Sequence, residues 1–97
     1  MNLRTHPLLA RVLDAAVRYR QGELPVEALQ QTLSAVMSAV ESDVPKPVRD
    51  ALFEAEAQVD SARFTVDTAE RPRAVASILD DLETAIDASN GDARHAS

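Results

Sequence analysis

The sequence predicts an all-α protein, a small antiparallel four-helix bundle. Three observations carry that expectation. Apolar residues recur at steps of three and four along most of the chain, and no segment alternates with the period of two that a half-buried strand needs. Proline and glycine, at Pro7, Gly22 to Pro25, Pro45 to Pro47 and Pro72, divide the chain into segments joined by short connections. A three-helix core with the N-terminal helix docked across it fits the same pattern and is the alternative.

The first helix is expected over about residues 7–20. Leu8, Leu9, Val12, Leu13, Ala16, Val17 and Tyr19 supply its apolar residues, while Arg11, Asp14 and Arg18 recur on the other side. Thr5 or His6 is its candidate cap, and Pro7 is tolerated in the first turn because the N–H it lacks has no partner there. Gly22 suits a left-handed cap at its C-terminus, and Pro25 suits the start of the next helix.

That second helix, about residues 25–41, places Val26, Leu29, Leu33, Val36 and Val40 at steps of 3, 4, 3 and 4, with Met37 beside them. Such a seam packs on other helices. The short connection at 41–44 turns the chain back, so the third helix, about residues 46–64, runs antiparallel to the second. Its seam is Val48, Leu52, Ala55, Val59 and Ala62. The fourth helix, about residues 71–88, offers Val75, Ile78, Leu79, Leu82 and Ile86. Ser89-Asn90-Gly91 reads as its end, which leaves residues 1–91 as one domain and residues 92–97 as a disordered tail.

One stretch interrupts this regularity. Residues 58–70 read QVDSARFTVDTAE, and Phe64-Thr65-Val66 favour strands. Val66 is nevertheless in phase with the seam before it, and a lone strand would have no partner, so the stretch is a helix terminus. Asp67-Thr68-Ala69-Glu70 resembles a capping box, but Pro72 would then sit inside the helix and remove a hydrogen bond. A single turn at 67–70 before the fourth helix reconciles the two.

Composition narrows the function classes. Ninety-seven residues, 45% of them hydrophobic, suffice for a single core. The absence of cysteine removes disulfides, thiolate metal ligands and cysteine nucleophiles. No apolar run is long enough to span a membrane, and the N-terminal residues lack the apolar core of a signal peptide, so a bacterial cytoplasmic protein is expected. The net charge is −6 and uneven, with +1 on residues 1–40 and −7 on residues 41–97. That balance disfavours nucleic acid, which needs clustered Lys and Arg, and the second helix has neither residue.

Candidates for chemistry are sparse. His6 and His95 stand at opposite ends of the chain, and no pair of histidines or Glu-x-x-His has metal-ligand spacing. His6, beside Pro7, reads as a capping or turn residue. With Gly22 and Gly91 the only glycines, no phosphate-cradling loop is available, and DASNGD at 87–92 lacks the glycine and glutamate of a calcium loop. No cofactor, metal or catalytic residue is therefore expected. Arg4, Arg11, Arg18 and Arg20 form either a solvated face or a basic stripe.

Two features point to binding. Phe53 and Phe64, eleven residues apart, share an azimuth on the third helix roughly 120–140° from its seam, with Ala57 between them and Lys46, Arg49 and Asp60 alongside. Either another helix covers this stripe, or it is an exposed apolar strip with a charged rim, as at a protein interface. Asp80, Glu83 and Asp87 make an acidic stripe on the fourth helix, either solvated or docking a basic group. The expected function is a non-catalytic protein-binding module of regulatory, adaptor or inhibitor type, such as an immunity or antitoxin protein. Its partner surface comprises Arg49, Phe53, Ala57, Asp60, Phe64, Asp80, Glu83 and Asp87. The alternative is a self-assembling protein that forms a homodimer through the same surface.

Overall fold

A computed structural model describes the backbone over residues 3–40 and 43–96, and side chains as far as residue 90. Four helices follow a short 3-10 segment at Leu3–Thr5: α1 (Pro7–Arg20), α2 (Val26–Ala39), α3 (Lys46–Thr65) and α4 (Arg71–Ala96). Each packs on its neighbour in sequence, and α4 closes the ring by packing on α1, which gives the expected four-helix arrangement. The three-helix alternative fails because Leu9 and Val12 of α1 are buried in the same core as Leu29, Leu52 and Leu79.

The seams read from the sequence form that core. Leu29, Leu33 and Val36 of α2, Val48, Leu52, Ala55, Val59 and Ala62 of α3, and Val75, Leu79, Leu82 and Ile86 of α4 are all buried. Val17 departs from expectation. It lies on the edge of the α1 stripe and is 47% exposed. Val44 was not singled out, because it belongs to no helical period, yet it is fully buried in the α2–α3 connection.

Local chemistry explains the boundaries. His6 caps α1, its ring accepting the Leu8 N–H, and Pro7 occupies the first turn. At the other end Glu23 N–H reaches the Arg18 carbonyl at 2.8 Å and Gly22 N–H the Tyr19 carbonyl at 3.0 Å, a Schellman motif. That motif needs a left-handed residue, and Gly22 has φ of +77°. Nothing crowds the place where its Cβ would go. Gly22→Ala is therefore expected to cost only the conformational penalty, about 1 kcal/mol in urea denaturation.

Pro25 stands one residue outside α2 as its cap rather than inside it. α2 ends at Ala39, with Val40 already extended as its cap, and residue 41, where the sequence reading ended the helix, lies outside the described residues. α3 ends at Thr65, with Val66 extended, so the QVDSARFTVDTAE stretch is a helix terminus as read. The Asp67 carbonyl accepts from Glu70 and Arg71 N–H groups at 3.0 and 2.8 Å, forming one turn before α4. Pro72 thus falls in the first turn of α4 and costs no hydrogen bond.

The C-terminal boundary is a correction. α4 does not stop at Ser89-Asn90-Gly91 but continues to Ala96, and the part of the expected tail at residue 97 lies outside the described residues. A tertiary contact accompanies the continuation. The Leu3 N–H donates to the Asn90 Oδ1 at 3.2 Å, and the Ser89 side chain is buried where the 3-10 segment packs on α4. The Asn90 side chain thus meets the 3-10 segment while its backbone continues the helix.

Candidate binding face on α3

Phe53 and Phe64 are 66% and 76% exposed, and Ala57 between them is exposed too. None of the other helices covers this side of α3; its neighbours α2 and α4 lie on the two flanks of the seam. The geometry follows from the helical period. Burying Val48, Leu52, Ala55, Val59 and Ala62 turns residues 53, 57 and 64 outward, three turns apart end to end, or about 16 Å along the axis.

The flank toward α2 is a polar lattice. Gln30 of α2 donates from its amide nitrogen to Glu56 at 3.1 Å and to Asp60 at 2.9 Å, and its oxygen accepts from Arg63 at 2.6 Å. Arg63 also reaches toward Glu27 at 3.9 Å and lies over the Phe64 ring, 5.4 Å from its centre, a cation–π contact. Nearer the N-terminus, Arg49 and Phe53 border a shallow recess with Met37 of α2 and Val40 just beyond its end. On the other flank a groove between α3 and α4 is floored by Ala55, Ile78 and Leu82 and edged by Glu54 and Asp81.

Asp80, Glu83 and Asp87 belong to a different side of the molecule. Arg20, in the last turn of α1, reaches Asp80 at 2.6 Å and Glu83 at 2.9 Å. Arg4 makes a two-pronged bond to Asp87 at 2.8 and 2.9 Å. The acidic stripe, read as a solvated face or as a dock for a partner's basic group, instead meets arginines of the same chain, which fasten α1 and the 3-10 segment to α4. Arg18 pairs with Asp14 within α1 at 3.4 Å, so Arg4, Arg18 and Arg20 do not form a free basic stripe. The eight residues first grouped as one partner surface thus divide. Arg49, Phe53, Ala57, Asp60 and Phe64 share the outer part of α3; the three α4 carboxylates join the bundle's own helices.

The Arg4 guanidinium holds the Asp87 carboxyl below its ordinary range, through the hydrogen bond first and its charge as well. A carboxyl lowered in the folded state stabilises it above the ordinary carboxyl pKa, and that contribution is lost as pH falls through the lowered value. Both side chains are about half exposed, so the contribution is small. Asp87→Asn is expected to cost less than about 1 kcal/mol at pH 7, and its stability should converge with that of the wild type in strong acid.

Asp60, Asp67 and Asp80, which could have formed a catalytic pocket only by converging, are exposed and lie apart: on the α2 flank of α3, in the α3–α4 turn, and against α1. Among the described residues, no three His, Asp or Glu side chains are grouped to hold a metal ion. Sequence reasoning missed two polar tethers. His6 Nε2 meets Asp43 Oδ2 at 2.8 Å, joining the start of α1 to the α2–α3 connection. Arg71 donates to the carbonyls of Arg63 and Val66 at the end of α3. Neither pairing leaves a signal in periodicity, because each joins segments distant in the chain or at a turn.

Fold and face together define an antiparallel four-helix bundle with an aromatic strip left uncovered on its third helix. Compared with known protein families, with curated proteins and with solved structures, the chain matches none.

Proposed function

We propose that this protein is a non-catalytic protein-binding module that engages its partner through the outer face of α3. One observation carries the reading. Both phenylalanines of the chain stand exposed on one side of one helix, while the aliphatic seam of that helix is buried. The fold gains nothing from placing aromatic rings in water, and aromatic anchors inside a polar rim are the anatomy of an interface. Glu54, Glu56, Asp60 and Arg49 supply that rim.

The test is affinity capture from the native lysate with the wild type beside Phe53→Asp, each checked for folding by circular dichroism. A foreign protein held by the wild type and lost by the folded variant is the expected result. Recovery of the protein alone would move the reading to self-assembly through the same face. A partner held equally by both proteins would overturn the assignment of the face.

A further inference from the structure

Resting on that reading, we infer that the face on α3 receives a cationic amphipathic helix of a partner protein, and not a second copy of this chain. The inference comes from how the charges are spent. Arg4, Arg18, Arg20 and Lys46 are each paired with a carboxylate of their own chain, Arg63 lies over the Phe64 ring and reaches Glu27 at 3.9 Å, and Arg71 is turned onto main-chain carbonyls. The carboxylates beside the strip are treated differently. Glu54 accepts from the Gln58 amide, and Glu56 and Asp60 accept from the Gln30 amide. An amide donor solvates a carboxylate but leaves its charge in place.

The apolar strip of Phe53, Ala57 and Phe64 is therefore bracketed by negative charge on both sides, Glu54 toward α4 and Glu56 with Asp60 toward α2. Arg49 lies one turn before Phe53 and Arg63 lies over the Phe64 ring, so the negative field covers the middle of the strip and not its two ends. A complementary surface has an apolar stripe with lysine or arginine on both flanks. A second copy is the poorer match, since it carries a net charge of −6 and brings the same carboxylates to the contact.

The occupant is a helix for a backbone reason. The main-chain groups of α3 are consumed within the helix, so the face offers side chains only and cannot extend a sheet. Ala57 leaves a notch between the two rings, into which an apolar residue of a crossing helix fits. A partner helix of about three turns matches the roughly 16 Å between the phenylalanines.

The experiment titrates the protein with two synthetic helical peptides that share one leucine stripe, its flanks lysine in the first and glutamate in the second. Wild type, Phe53→Ser/Phe64→Ser and Glu54→Gln/Asp60→Asn are compared at low and high salt, with sedimentation equilibrium of each protein alone. The lysine peptide is expected to bind the wild type at least about tenfold more tightly than either double variant, and more weakly as salt rises. Equal binding of the two peptides, no binding of the lysine peptide, or indifference to Glu54→Gln/Asp60→Asn overturns the cationic partner while leaving the face open to another protein. A wild-type dimer abolished by Phe53→Ser/Phe64→Ser also overturns it, in favour of a second copy. Lysine-peptide binding that ignores the phenylalanines overturns both this inference and the assignment of the face.

Discussion

Leu52→Ala is expected to destabilise the bundle by about 2–5 kcal/mol, whereas Phe53→Ala, at the next position, should change stability by no more than about 0.5 kcal/mol. Leu52 is fully buried in the seam of α3 and Phe53 is 66% exposed. Truncating the leucine removes buried methyl groups and opens a hole that the three other helices can fill only in part. Truncating the phenylalanine removes a ring that already sits mostly in water. Urea denaturation followed by circular dichroism measures both. The contrast also separates binding from folding, because a residue that stabilises nothing in the monomer can be changed to probe a partner without unfolding the protein. A loss of 3–5 kcal/mol for Phe53→Ala would instead mean that another helix covers the ring.

His6→Ala should have the second-largest effect, about 1.5–3 kcal/mol, the sum of a lost N-cap and a lost partly buried hydrogen bond. His6 is 6% exposed although it precedes a surface helix. Its Nδ1 accepts the Leu8 N–H, which leaves the hydrogen on Nε2 to be donated to Asp43. One side chain thus caps α1 and fastens it to the α2–α3 connection, 37 residues away in the chain. His6→Asn restores the cap without the reach to Asp43, so it should recover about 1 kcal/mol of the loss. Equal stabilities for the Asn and Ala variants, measured in the same denaturation series, would show that the cap contributes nothing.

The histidine shows how much of such a role is legible beforehand. A His before Pro7 at the start of an apolar period announces a helix start, because capping is a contact between residues two apart. Its bond to Asp43 is invisible in one dimension. The acidic stripe repeats the lesson. Asp80, Glu83 and Asp87 were readable as a row on one side of α4, but whether solvent, a partner or the same chain met them depended on where Arg4 and Arg20 came to lie. The end of α4 goes further, since the helix continues past a local stop signal at Asn90-Gly91, where the Leu3 N–H meets the Asn90 side chain.

By itself the sequence determined which residues form the core seams, where α1 and α3 begin and end, and that the chain turns back on itself between them. Those properties depend on the 3.6-residue period and on proline, glycine and capping chemistry, all of which act within a turn or two. Only the tertiary structure decided that the Phe53/Phe64 side of α3 is uncovered, that the α4 carboxylates face α1, and that α4 runs past its stop signal. Each of these follows from which helix occupies which side of its neighbour. A helical period specifies the side that must be buried, but it leaves unstated what will stand against the side that need not be.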